Sequence, residues 1–525
     1  MTSALLGRRR FLSLAAAGAG LAGIGALGAT GCGSSAGTTS GPAGLDYIKP
    51  GDPEVAAAEA ARASTGKTAA YALAAGAATV DLGGRLVNTW TYGAGAVAPE
   101  LRLSAGDTLA VRVTNTVPAE TSIHWHGIRI RNDMDGVPPV TQKPIAAGGT
   151  FEYRFIAPDP GTYWYHSHSG LQADRGLFGA LIVEDPGDTT GADADAVLVL
   201  DDWVDGLGTT PDAVMAALNP DLHGGHGGHA GHGAAAPLQV GAGEAAVAAS
   251  LTAAGHGESL LLGGMTQHIA YPLHLINGRP PNDPAVITAA PGSRLRLRII
   301  NAGAETPYRF AIAGHRLTVV AVDGYDVVPA EADTILIGMA QRYDVLVTVA
   351  SGAWPVVAAV EGRPGYASTV LRSSDSAPLA DPDIGGAIPE LRGQPVPESE
   401  LRPAQHIRLP DRPPDRDYAV DLLQAGDRYV WAMAGADAGD LVMKQGERVR
   451  ITMHNRSAMW HPMHTHGHTF AIPDYGGLRR DTVNVLPGTS LAIEFDADNP
   501  GEWMFHCHNA YHFEAGMTAN LMYVR

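Results

Sequence analysis

The stretch Gly106-Asp-Thr-Leu-Ala-Val-Arg-Val-Thr-Asn115 returns twice further along the chain, as Gly292-Ser-Arg-Leu-Arg-Leu-Arg-Ile-Ile-Asn301 and as Gly446-Glu-Arg-Val-Arg-Ile-Thr-Met-His-Asn455. The step from Gly to Asn is nine residues in every copy. Leu109, Val111 and Val113 fall at every second position, as do Leu295, Leu297 and Ile299. Alternate side chains of an extended chain point to opposite faces, so each copy reads as a half-buried strand entered from a turn. Recurrence on this scale means repeated structural units. Three copies imply three homologous β-domains.

Composition agrees with this reading. At about 150 residues per domain, 525 residues allow roughly three to four domains. Hydrophobic residues make up 45% and charged residues 17%, enough apolar material to exclude a disordered chain. The 65 glycines and 36 prolines exclude a helical bundle and favour an all-β chain. A net charge of −18 excludes nucleic acid as a partner. With only two cysteines, Cys32 and Cys507, no disulfide framework holds the fold.

The amino terminus accounts for Cys32. Arg8-Arg9-Arg10-Phe11-Leu12 precedes an Ala/Gly/Leu stretch through Thr30, the pattern of a twin-arginine export signal. Gly18, Gly20, Gly23, Gly25 and Gly28 dilute that stretch too heavily for a spanning helix. Ala29-Thr30-Gly31-Cys32 and the Gly/Ser/Thr run after it resemble a bacterial lipoprotein cleavage site with a tether. The expectation is a signal over residues 1–31 and a tether over 32–65, with a lipid on Cys32 that holds an exported monomer at the membrane.

Downstream of the repeat strand the three copies diverge. Nine and eleven residues after Asn115 stand His124 and His126, and the same steps from Asn455 reach His464 and His466. From Asn301 they reach Phe310 and Ile312. Pro160-Gly161-Thr-Tyr-Trp-Tyr-His166-Ser-His168 likewise parallels Pro500-Gly501-Glu-Trp-Met-Phe-His506-Cys-His508. On a strand, residues two apart share a face, so each His-x-His pair projects two imidazoles together. Imidazole binds copper, zinc, iron or nickel, and histidine number alone does not choose among them. Repetition at matched positions argues against ordinary packed or surface histidines.

The last stretch makes the choice. Cys507 lies between His506 and His508, His512 comes five residues after it, Met517 ten, and His461 stands just upstream of His464. Two histidines and a cysteine with a weak axial methionine form the donor set of a blue-copper electron-transfer site. A structural zinc would want four strong ligands and has no use for a thioether.

At this point the chain resembles the three-domain multicopper oxidases. His124-Trp-His126-Gly127, His166-Ser-His168, His461-Pro-Met-His464-Thr-His466-Gly-His468 and His506-Cys-His508-Asn-Ala-Tyr-His512-Phe-Glu-Ala-Gly-Met517 match the four copper signatures of that family. The resemblance spans roughly residues 66 to 525, including Ala340-Gln-Arg-Tyr-Asp-Val-Leu-Val. It implies three cupredoxin-like Greek-key β-barrels, at about 66–187, 195–372 and 405–525. It also implies about four coppers. The type 1 ion would take His461, Cys507 and His512 with Met517 axial, and the type 2 ion His124 and His464. The type 3 pair would take His126, His166, His168, His466, His506 and His508. Family members draw electrons from a reductant at the type 1 site and reduce dioxygen to water at the cluster. By analogy with laccases, His512 presents its edge to the substrate.

Two carboxylates are candidate proton donors. Asp135, eleven residues after His124, stands where related bacterial oxidases carry an acidic residue beside the type 2 copper; otherwise it simply forms the turn before Gly136. Glu514 is the second, although some relatives carry theirs directly after the equivalent of His512, where this chain has Phe513. The reductant expected first is a phenol or aromatic amine, with cuprous ion as the alternative. The cuprous oxidases often carry a Met-rich insertion, whereas here His223, His226, His229 and His232 lie in a Gly-rich insert over about 222–236. That insert reads as a solvated low-complexity loop rather than a copper-collecting one. A non-catalytic copper carrier would not need histidine pairs split over two domains. His468 is expected to pack near the cluster, and His256, His268, His274, His315, His406 and His454 to be ordinary structural residues.

Overall fold

The computed structural model describes residues 44–220, 240–374, 388–426, 428–435 and 439–525. The expected signal, Cys32 and the His-rich stretch lie outside them. The three repeat strands, Thr108–Asn115, Arg294–Asn301 and Arg448–Asn455, hold the same place in three sheets. Each runs parallel to an earlier strand (Thr68–Asp81, Ala194–Trp203 and Arg416–Gln424) and antiparallel to a later one (Thr150–Ile156, Arg342–Thr348 and Ser490–Asp496). A second sheet faces each of these. In all three it includes a short strand paired parallel to the last strand of the domain: Leu101–Ser104 with Phe178–Glu184, Val286–Ala289 with Tyr366–Ser373, and Asp440–Met443 with Thr518–Tyr523.

The repeated Gly and Asn have physical reasons. Gly106, Gly292 and Gly446 have φ of +84°, +80° and +90°, the left-handed region that a Cβ disfavours. Asn115, Asn301 and Asn455 are buried, and each amide donates to two carbonyls. One carbonyl lies four or five residues on (Ala119, Thr306, Met459), and the other belongs to a distant chain segment (Ile145, Ile337, Val485). The Asn thus satisfies carbonyls where the strand ends, which a buried apolar side chain could not do.

Between the paired sheets the alternate apolar residues meet, Leu109, Val111 and Val113 in the first domain and Leu295, Leu297 and Ile299 in the second. Complete burial of each such side chain contributes about 1.5–3 kcal/mol. Phe310 and Ile312 are fully buried in the middle core, with Phe310 opposite Ala358. The middle domain therefore fills with hydrocarbon the positions at which its neighbours carry histidines.

One expectation is corrected. The described part of the segment expected as a tether, residues 44–65, is packed rather than extended. Ile48 and Val55 are buried, with Val55 inside the helix Pro53–Ala60. Glu59 accepts from the Ile156 amide of the first domain, while Ile48 donates to the Tyr523 carbonyl of the third. Arg525 adds ion pairs to Asp46, Asp52 and Glu54. Among the described residues no helix is long and apolar enough to cross a membrane.

Candidate metal centres

The His-x-His pairs sit on antiparallel ladders that place them side by side. His124 lies opposite His166 in the first domain, and His464 opposite His506 in the third. The two ladders then face each other: His124 stacks on His466 and His126 on His464, each at 3.8 Å between ring centres. His466 Nε2 and His506 Nε2 are 2.9 Å apart. His168 and His508 complete the cluster, at 5.1 Å from His466 and 4.9 Å from His126.

The donor set fits metal ions. His124 Nε2, His126 Nδ1, His166 Nε2, His168 Nδ1, His464 Nε2 and His508 Nε2 are buried ring nitrogens with no hydrogen-bond partner. Each such atom costs about 1–3 kcal/mol if left unsatisfied. His124, His126, His166, His168 and His464 each belong to a group of three whose donor atoms lie within 4.8 Å of one another, an arrangement that suits a metal ion. Burial, then repulsion between neighbouring imidazoles, holds His126, His168, His464, His466 and His508 well below the ordinary histidine range, and His166 at about 3. Neutral imidazole is the form that binds metal.

Two carboxylates orient these rings. Asp135, buried, accepts from His124 Nδ1 at its backbone oxygen at 2.9 Å, and its Oδ2 lies 2.9 Å from His466 Nδ1. Its Oδ1 is 3.2 Å from His124 Nδ1. Asp481 mirrors it: its backbone oxygen accepts from His464 Nδ1 at 2.9 Å, and its Oδ1 lies 3.2 Å from His126 Nε2. Fixing one ring nitrogen aims the other. Arg342 reaches in from the middle domain, fully buried, donating to both Asp481 oxygens at 2.7 and 2.5 Å and to the Thr162 carbonyl at 3.0 Å. Gly127 makes room for it: a Cβ there would stand 2.3 Å from Arg342 Nη2.

A second donor set lies beyond the cluster. Cys507 Sγ is 3.7 Å from His461 Nδ1 and 3.7 Å from His512 Nδ1, and those nitrogens are 3.1 Å apart. All three side chains are fully buried. Burial pushes the Cys507 thiol up and His512 well down, with His461 held at about 3. Met517 is buried alongside, its amide donating to the His512 carbonyl and its carbonyl accepting from the Cys507 amide. His512 is set by the helix Ala510–Glu514, whose cap Asn509 accepts from the Tyr511 and His512 amides. The middle domain holds that cap in turn, since Asn509 Nδ2 donates to Glu305 at 3.1 Å.

The edge of His512, expected to face substrate, is buried, Nε2 included; Trp431 stacks on the ring face at 3.9 Å, and His268 and Tyr429 stand at 5.6 and 5.9 Å. His268, read as an ordinary structural residue, bonds Glu305 beside this cover. Glu514 is exposed at the end of its helix and, among the described residues, makes no hydrogen bond or ion pair with the histidines. His468 packs beside the cluster, bonded to Tyr523 and to the His466 carbonyl. Sequence reasoning missed Asp481, Arg342, Glu305 and Trp431. Arg342 alone had a signal, its place in the Ala340-Gln-Arg-Tyr-Asp run.

Comparisons with known proteins fit these centres. Family models described as multicopper oxidase match residues 75–188, 258–376 and 411–524. The multicopper oxidase MmcO of Mycobacterium tuberculosis is 40% identical, over 98% of this chain and 97% of its own length. Copper resistance protein A of Pseudomonas syringae pv. tomato is 28% identical, over 85% of this chain and 91% of its own. The crystal structure of the laccase from Botrytis aclada superposes with a TM-score of 0.69 at 27% identity, covering 93% of each chain. The chain belongs to the multicopper oxidase family.

Proposed function

We propose that this chain is a laccase-like oxidase, coupling one-electron oxidation of phenols or aromatic amines to four-electron reduction of dioxygen to water. One observation carries the reading. Cys507 belongs to the buried donor triangle, and its sequence neighbours His506 and His508 belong to the histidine cluster, so two short stretches of backbone join the two centres.

His461, Cys507 and His512, with Met517 beside them, would hold the type 1 copper, and His124 and His464 the type 2 copper. His126, His166, His168, His466, His506 and His508 would share the type 3 pair, making about four ions in all. Bound copper supplies the one-electron redox chemistry at both centres. The protein supplies geometry. Asp135, expected as a proton donor, has both carboxyl oxygens turned to imidazole nitrogens and serves to position His124 and His466. Trp431, Tyr429 and His268 keep water off His512, so electrons from an aromatic reductant pass through this cover rather than by direct contact with the ring.

The same cover favours a second reading, oxidation of cuprous ion, because a bulky aromatic cannot touch His512; the likeness to a copper resistance protein points the same way. Turnover of a phenol against turnover of cuprous ion on the copper-loaded protein separates the two. A wide preference for the ion overturns the first. Export by the twin-arginine route, with a lipid on Cys32, completes the proposal. Cys32→Ala should move the protein from the membrane to the soluble fraction, and a mature terminus without lipid removes the anchor.

A further inference from the structure

Asp174 is a buried carboxyl to which the chemistry of the two centres gives no role. It lies in the 3-10 helix Gly170–Arg175, just after the His166 and His168 pair. Its Oδ2 accepts from two phenols, Tyr511 at 2.6 Å and Tyr271 at 3.0 Å. Its Oδ1 is buried with no partner. The neighbouring Arg175 is turned away to Asp205 and Asp212, and among the described residues no cation forms an ion pair with Asp174.

Asp174 lines a cavity of about 50 Å³ whose walls include His168, His506, Cys507 and His508. None of these histidines is hydrogen-bonded to Asp174. The space suits a water molecule or a diatomic gas. Gly170, on the same wall, is exposed, so the cavity meets solvent there.

We propose that Asp174 is the proton donor for dioxygen reduction, releasing its proton into this cavity on the side of His168, His506 and His508 and regaining one from solvent past Gly170. The proposal rests on the oxidase reading. Reduction of one dioxygen to two waters consumes four electrons, which the reductant supplies as it is oxidised, and four protons. Each proton leaves Asp174 as a carboxylate until it is recharged.

The surroundings favour a carboxyl that carries its proton. Burial raises its affinity for a proton well above the usual carboxylate range, and the charge of Asp202 adds to this, as does that of Asp205. The Tyr511 and Tyr271 hydroxyls oppose the shift by bonding the charged form. Asp201 and Glu305 are further acidic groups near this network. The protonated form is the active one, so reoxidation should slow as pH rises through the Asp174 titration.

The test uses the copper-loaded protein with Asp174→Asn, Asp174→Glu and Tyr271→Phe. Asp174→Asn should keep the copper content, the visible spectrum and the anaerobic rate of reduction, yet be reoxidised by dioxygen about 100-fold more slowly. Asp174→Glu should recover part of that loss. Tyr271→Phe removes a bond to the charged form, so the alkaline limb of the reoxidation profile should move to higher pH. Infrared difference spectra of the resting protein at neutral pH should show a carboxylic acid band that Asp174→Asn lacks. Parental reoxidation in Asp174→Asn, an unmoved profile in Tyr271→Phe, or absence of the acid band overturns the proposal. Loss of copper in both Asp174 variants overturns it too, because the residue is then structural. A parent that is itself not reoxidised by dioxygen overturns the oxidase reading, whereas a normal parent with a normal Asn variant overturns only Asp174.

Discussion

Asp135 and Asp481 hold reciprocal positions across the histidine cluster. The backbone oxygen of each binds a histidine of its own domain, and the carboxylate of each reaches a histidine of the other: Asp135 takes His124 and His466, Asp481 takes His464 and His126. The repeat thus extends past the ligands to the groups that aim them, and each carboxylate ties the two outer domains together.

The symmetry is broken by Arg342, which pairs with Asp481, and at 3.6 Å with Asp323, but not with Asp135. Asp481→Asn should therefore cost up to about 3–5 kcal/mol, because it takes the nearer of two carboxylates from a buried guanidinium and leaves only Asp323 at 3.6 Å. Asp135→Asn should cost less, since its partners are imidazoles rather than a guanidinium. Both should weaken copper retention by about 10- to 100-fold. Denaturant unfolding of the metal-free variants with a copper titration checks this, and equal stability losses would count against the special place given to Arg342.

Cys507→Ser should abolish the blue colour and remove about one copper, because the thiolate is the donor that gives such sites their spectrum. Met517→Leu should keep the colour and raise the type 1 potential, as loss of an axial donor destabilises oxidised copper relative to reduced. A visible spectrum, metal analysis and redox titration decide both. A lower potential in Met517→Leu contradicts Met517 as a copper donor.

Burial holds the His166 and His461 imidazoles at about 3, against 6.5 for an ordinary histidine. Below 6.5 the unfolded chain takes up protons that the folded one refuses, so stability rises with pH across this window and is lost as pH falls. The metal-free protein should be most stable above about pH 6.5 and lose Tm steadily toward about pH 3. Copper binds only the folded, neutral histidines and should shift the loss to lower pH. Thermal melts of both forms across pH measure this, and a flat profile for the metal-free protein would contradict it.

Trp431 covers His512 by stacking. Trp431→Ala should cost about 3–5 kcal/mol through the cavity it leaves. It should also raise the ratio of phenol to cuprous turnover, by opening the ring face to an aromatic. Steady-state kinetics with both reductants, beside the visible spectrum, check this; an unchanged ratio would mean that Trp431 does not control access.

The repeat, the strands and the residues that cluster were legible in the amino-acid order alone. They obey local rules: period-two burial, a glycine where φ is positive, an asparagine where a strand ends, and histidines two apart on one face. The metal type was legible for the same reason, since Cys507, His512 and Met517 lie within ten residues. The groups that aim and cover the donors come together only in three dimensions. Asp481 meets His126 across 355 positions, and Arg342 reaches Asp481 across 139. No spacing rule links residues so far apart, because their contact depends on how the sheets of three domains are laid against one another. The same holds for Glu305 beneath Asn509, and for the segment before residue 66, whose plain composition concealed that Val55 and Ile48 have a folded surface to bury against.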